Sequence, residues 1–272
     1  MHSLFTKRGK GDIIDEALRS FLCEEEAYMS RSDTFLEKMV NGPRIIIVTG
    51  HFGSGKTEFS VSLAYALGEL RKAGDERLKE LALCDLDIEN PYFRSRELTG
   101  PLEEEGIRVY SDPFHGKNGS ELQTIDASIL APVENPECRA ILDTGGNNTG
   151  AMILNQFRRH FSEDYRMLYV VNQNRPGTDT PEKVLFEIRE IERTTNLTVT
   201  GLISNSHFIW ETTEEDVLSG YAFSKKVGEM CSLPVLAACC SRKLAQKMKP
   251  QDGMEVFPVG MYMRQGYLDK KV

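Results

Sequence analysis

The run Ile45-Ile46-Ile47-Val48 carries branched side chains on both faces and leads directly into Gly50-His51-Phe52-Gly53-Ser54-Gly55-Lys56-Thr57. A strand that is apolar on both faces suits a sheet covered by helices on both sides. Beyond the loop, Phe59, Leu63, Leu67 and Leu70 recur at helical spacing, so Thr57 to Lys72 reads as an amphipathic helix. The loop fits Gly-x-x-x-x-Gly-Lys-[Ser/Thr], whose glycines let backbone N–H groups converge on phosphate oxygens without Cβ clashes. A lysine at the position of Lys56 reaches the β- and γ-phosphates, and a hydroxyl at Thr57 ligates Mg²⁺. The helix that starts there adds its positive N-terminal end. The candidate phosphate-binding residues are Gly50, Gly53, Ser54, Gly55, Lys56, Thr57 and Glu58. The expected ligand is a Mg²⁺-bound nucleoside triphosphate, with ATP favoured below.

Strands and helices alternate after this loop. Leu81 to Cys84, Ile107 to Tyr110, Ala140 to Leu142, Met167 to Val171, Val199 to Ser204 and Pro234 to Cys240 read as strands. Helices are expected near Ala151 to His160, from Pro181 to about Arg193, after a Thr212–Glu215 capping box, and briefly after Cys240. This alternation predicts an α/β fold with a doubly wound, mostly parallel sheet flanked by helices. Residues 1–42 differ in character. Asp12 to Ser30 reads as a helix, and a second short helix after Asp33 turns Leu36 and Val40 inward, before Asn41-Gly42-Pro43 breaks the pattern. The expected division is a helical N-terminal extension, 1–42, and a P-loop NTPase domain, 43–272.

Two acidic motifs fall at strand ends, where such sheets bind ligands. Asp85-Leu86-Asp87 follows one strand, and alternation points both carboxylates the same way. Asp143-Thr144-Gly145-Gly146 follows another; Asp143 could hold a metal shell through water, and Gly146 could bring the backbone to the γ-phosphate.

A P-loop, then Asp-x-Asp after the second strand, then Asp-x-x-Gly after a later one resembles the SIMIBI class of P-loop NTPases. Within that class the chain most resembles MinD/ParA/CobQ-type ATPases, over about Arg44 to Val259. The resemblance implies that Asp87 orients the attacking water, that Asp85 and Asp143 belong to the metal shell with Thr57, and that Asn205 contacts adenine. Residues 87–96 would form the first switch and 145–150 the second. The chain departs from the pattern at His51, where MinD/ParA-type loops carry a second lysine that crosses a dimer interface to the partner's phosphates. An imidazole supplies no such fixed charge. Arg94 and Arg96 are candidates for that role or for plain surface charge. GTPases of this fold present Asn-Lys-x-Asp, whose aspartate pairs with guanine. Here Asn172-Gln173-Asn174-Arg175 and Asn205-Ser206-His207-Phe208 offer no such carboxylate, which favours ATP. Asn172 and Arg175 stay open between a strand-end turn and a ligand contact.

Composition excludes several classes. Lys and Arg number 33 against 41 Asp and Glu, a net charge of −8 that argues against a general grip on nucleic acid. No stretch approaches the roughly 20 apolar residues of a membrane span, and no basic amphipathic tail or secretory leader is visible. Six cysteines without Cys-x-x-Cys spacing read as reduced thiols of a cytoplasmic protein, and Cys239 and Cys240 should point to opposite faces of their strand. His115 and the run Glu103 to Glu105 read as loop and solvated face, and Trp210 as core or interface. The leading expectation is an ATP-dependent switch acting on a protein partner, with a homodimer left open. A CobQ-like ligase or kinase using residues 111–136 (His115, Lys117, Asn118) is the second reading. A non-hydrolysing ATP sensor docking through the N-terminal helices is the third.

Overall fold

The computed structural model of the chain describes residues 35–87, 98–111, 127–146, 148–161, 164–208, 211–249 and 253–264. The expected helix over 12–30, most of the first switch with Arg94 and Arg96, the loop residues His115, Lys117 and Asn118, and Trp210 lie outside them. Eight strands form one sheet: β1 (Ile45–Thr49), β2 (Glu80–Leu86), β3 (Ile107–Ser111), β4 (Cys138–Thr144), β5 (Tyr165–Val171), β6 (Gly201–Ser204), β7 (Val235–Ser241) and β8 (Val256–Val259). Their order is β3-β2-β4-β1-β5-β6-β7-β8. Every pairing is parallel, so all carboxyl ends lie along one edge.

Alternation along each strand feeds two apolar layers. Ile45, Ile47, Leu142, Met167 and Val171 face the layer holding α7 (Pro181–Thr195) and the broken helical segment α5 (Asn148–Ala151), a 3₁₀ turn (Met152–Gln156) and α6 (Arg158–Phe161). Ile46, Val48, Leu81, Leu83, Leu168 and Val170 face α1 (35–41) and α2 (Lys56–Lys72). Cys239 and Cys240 do point to opposite layers, and burial pushes both thiols up. Two short helices, α3 (Thr99–Glu104) and α4 (Leu130–Glu134), complete the β2 to β4 region.

Three local expectations change. The single helix foreseen near 151–160 is three short pieces. The helix after β6, α8 (Glu214–Cys231), is capped one residue later than its sequence suggests. Thr213 accepts from the Asp216 N–H, and the Asp216 carboxylate accepts from the Thr213 N–H. Thr212 instead accepts from the Phe208 N–H at 2.8 Å. Beyond β7 and α9 (Arg242–Ala245), β8 is an additional strand that contains Pro258. Proline, with no N–H to donate, is tolerated because β8 is an edge strand.

The described end of the N-terminal extension belongs to the core. Phe35, Leu36, Met39 and Val40 of α1 are all buried, and Phe35 packs on Phe59 of α2 and Phe257 of β8 with ring centroids 6.2 and 5.1 Å away. The last carbonyls of α1 are received by Arg139 of β4. It donates to Met39 O, to Val40 O at 2.6 Å and to Pro43 O at 2.8 Å. Free carbonyls at a helix C-terminus are costly when buried, and a guanidinium satisfies several at once.

Arg139→Met keeps the apolar stem and removes those donors, so unfolding stability should fall by about 2–4 kcal/mol. Arg77→Ala, which breaks exposed ion pairs to Glu37 of the same helix, should shift the urea midpoint far less. Equal shifts would mean that Arg139 does not hold α1 in place.

Candidate functional site

The loop between β1 and α2 opens at the carboxyl edge, with β4 on one side of β1 and β5 on the other. Gly53 and Gly55 have φ of 72° and 91°, a left-handed backbone that a side chain would strain. Gly55 serves as the N-cap of α2. Three carbonyls of the loop accept from side chains. Lys56 Nζ donates to His51 O at 3.2 Å, Arg175 Nε to Gly53 O at 2.7 Å and Asn205 Nδ2 to Ser54 O at 2.7 Å. Peptide units held in this way, with Ser54 N–H also donated to His51 O at 3.1 Å, are fixed in orientation, as an anion-binding loop requires. Gly146 closes the other wall, since a Cβ there would lie 2.6 Å from Phe52 Cα and 3.0 Å from Lys56 Nζ.

Asp85 and Asp143 are direct neighbours in the β2–β4 register. Both are buried, and Asp143 is sealed from solvent. Burial, with the Asp85 carboxylate beside it, raises Asp143 to about 7, while the Lys56 ammonium and Thr57 hydroxyl pull the other way. Ser60 Oγ donates to Asp143 Oδ1 at 3.2 Å, and Asp143 Oδ2 has no hydrogen-bond partner among the described residues. Burial lowers the Lys56 ammonium, opposed by Asp143, Asp87 and Glu187. Asp87 follows the strand, donating its N–H to Asp85 Oδ1 at 3.2 Å, and its Oδ1 lies 3.3 Å from where a Gly145 Cβ would sit.

This donor set fits Mg²⁺. Two adjacent buried carboxylates, one with an unmatched oxygen, and the Thr57 hydroxyl leave positions for phosphate and water, as this cation requires. Among the described residues no group of three or more His, Cys, Asp or Glu side chains forms a closed cage.

Other expected residues are placed as follows. The Asn205 amide nitrogen is committed to Ser54 O, while its buried Oδ1 has no partner among the described residues. The Glu58 carboxylate accepts from the N–H groups of Tyr262 and Met263, at 2.5 and 3.3 Å, so its side chain grips the C-terminal segment. His51 Nδ1 sits 3.0 Å from Glu187 Oε1 of α7, within its own chain. Asn172 organises a turn: its Oδ1 accepts from Asn174 N at 3.0 Å and its carbonyl from Thr178 Oγ1 at 2.8 Å. Ser60 and Glu187 were not foreseen. Ser60 sits one helical turn beyond Thr57, a spacing that could have flagged it; Glu187 reaches the loop only through the tertiary fold.

A glycine-rich loop joining the first strand to a helix, under an all-parallel sheet with the aspartate strand β4 beside it, makes this a P-loop NTPase α/β fold. No family model matches the chain, and no curated protein matches it. Among solved structures it is similar to the cell division protein FtsY of Thermotoga maritima, with 19% identity over 78% of this chain and 66% of that one, at a TM-score of 0.46. The 54 kDa signal recognition particle protein of Aeropyrum pernix K1, in complex with GDP, matches at 18% identity over 74% of this chain and 45% of that one, with a TM-score of 0.44. The signal recognition particle receptor FtsY of Elizabethkingia anophelis, also with GDP, matches at 14% over 90% and 75%, with a TM-score of 0.42. The chain thus spans just under two thirds and under half of the length of the first two. At this similarity no residue or substrate correspondence follows.

The acid pair makes a prediction for the ligand-free protein. A carboxyl raised from 3.8 to about 7 contributes stability that is complete below the unfolded value and is lost as pH rises through about 7. In EDTA, Asp143→Asn should therefore melt above wild type at pH 8, by an amount on the order of a few kcal/mol in stability, and the gap should close toward pH 4. A gap independent of pH would remove the charge from the account.

Proposed function

We propose that the chain is a Mg²⁺-dependent ATP-binding protein and ATPase of MinD/ParA-like type, acting as a nucleotide-dependent switch on a protein partner. The observation that carries the reading is one carboxyl edge holding the tied-back loop, buried Lys56, the Asp85–Asp143 pair and Asp87 within reach of the Gly145-Gly146 turn. Bound Mg²⁺ would neutralise charge on the phosphates. Thr57 would hold it directly, with Asp85 and Asp143 acting through water. Lys56 would turn its ammonium from His51 O to the β- and γ-phosphates. Asp87, beside Gly145, is suited to orient water for attack on the terminal phosphate, where positioning and charge do most of the catalytic work. Gly146 would report that phosphate to the 145–150 segment, the proposed second switch.

Adenine is preferred in this reading because neither strand-end motif offers the carboxylate that pairs with guanine. Asn205 would meet adenine through its buried, unmatched Oδ1. The ligase or kinase reading drew on residues 111–136, most of which lie outside the described residues, and the sensor reading drew on the N-terminal helices, which lie outside them up to residue 34.

Equilibrium titration should find MgATP bound at least about tenfold more tightly than MgGTP, with EDTA weakening both. Asp87→Ala should keep ATP affinity and lose turnover by roughly 100-fold or more. Tighter GTP binding would overturn the base assignment; normal hydrolysis by the variant would overturn the role of Asp87. Absence of turnover in the wild type, alone and with added cell extract, would overturn the ATPase reading.

A further inference from the structure

The turn after β5 is built to hold one side chain still. Arg175 donates its N–H to Asn172 O at 3.4 Å, and its own carbonyl accepts from Thr178 N at 2.9 Å. From that fixed backbone the side chain crosses to the phosphate loop, where Nε donates to Gly53 O at 2.7 Å. The guanidinium lies against Gly53, with its carbon 3.4 Å from where a Cβ there would stand. Arg44, Arg77, Arg108 and Arg193 each pair with a carboxylate. Arg175 has none among the described residues, and its two terminal nitrogens have no protein partner there. A guanidinium held without a counter-anion on the rim of an anion-binding loop gains its charge partner when phosphate arrives. The position that carries a second lysine in MinD/ParA-type loops is meanwhile closed to that task, because His51 is turned to Glu187.

We propose that Arg175 is the second cation of the phosphate site and acts on the nucleotide bound by its own chain. The proposal rests on the nucleotide-binding reading above. It replaces a lysine supplied across a dimer interface with an arginine supplied from the β5–α7 turn. Arg175 Nε fixes the loop through Gly53, and Nη1 and Nη2 remain for phosphate oxygens.

The test is titration of the full chain with MgATP, using Arg175→Gln, Arg175→Lys and Lys56→Ala beside the wild type. Glutamine can still donate to Gly53 O but carries no charge, and lysine keeps the charge. Arg175→Gln should bind MgATP about tenfold more weakly, with a shallower salt dependence, and Arg175→Lys should recover to within about fourfold of wild type. Adding excess Lys56→Ala chain, which keeps Arg175, should not restore the affinity of Arg175→Gln. The proposal is overturned if Arg175→Gln binds like wild type while Lys56→Ala does not. It is also overturned if glutamine and lysine weaken binding alike, which would make Arg175 a loop clasp only, or if the added chain restores binding, which would place it in trans. A wild type that binds no nucleotide overturns the underlying reading as well.

Discussion

The rest of the site is arranged around two carboxylates buried side by side. Asp85 and Asp143 meet in register at the ends of β2 and β4, where low dielectric makes a second negative charge expensive unless cations compensate it. The compensation is ordered around them. Lys56 comes from the first turn of α2, Thr57 and Ser60 lend hydroxyls from the same helix, and an Asp143 oxygen stays unmatched. A proton can relieve the pair in the ligand-free state, as the rise of Asp143 toward neutrality indicates. In the proposed reading a divalent cation, reached through water, would compensate both charges together. For this reason β4 has to lie between β1 and β2: that order brings the phosphate loop and both aspartates to one point.

Much of this was legible in the sequence because the signals are local. The loop pattern, the branched strand before it and the amphipathic helix after it occupy contiguous residues, and the two aspartate motifs declare themselves at strand ends. What escaped has a tertiary cause. Thr212 and Thr213 both offer capping spacings, and only the bond from Phe208 N–H to Thr212 decides that Thr213 caps. The strand Val256–Val259 is short and contains a proline, which disqualifies it everywhere except at the edge it occupies. The 151–160 segment has helical composition but breaks into three pieces beside a turn where Gly145 and Gly150 touch; a Cβ on Gly145 would stand 2.7 Å from Gly150 Cα. No reading of local pattern could have joined Glu187 to His51 or Arg175 to Gly53.

The N-terminal extension illustrates the same limit. Its composition separates it from the domain, yet α1 fills the apolar layer under α2 and β8, and its carbonyls end on Arg139. Arg139, Ile141 and Asp143 lie on one face of β4 by strand alternation. The residue that holds the extension and the residue expected to hold the metal shell are thus at opposite ends of one short, rigid element. An appendage by sequence is, in its last turn, part of the layer against which α2 and therefore Lys56 are set.

The phosphate loop itself is held by groups from separate parts of the chain. Lys56, Arg175 and Asn205 each take a carbonyl from it, and His51 is tethered to α7 through Glu187. A glycine-rich loop left alone would sample many conformations and would lose that freedom on binding, at a cost of roughly 1–2 kcal/mol per residue ordered. Here folding has already ordered it, so a ligand meets N–H groups that are positioned in advance. The turns after β5 and β6 grip separate peptide units of the loop, and α7 holds the His51 side chain. In the proposed reading, a loop bound this way would pass any shift made for a terminal phosphate to these neighbours, the coupling that a nucleotide switch requires.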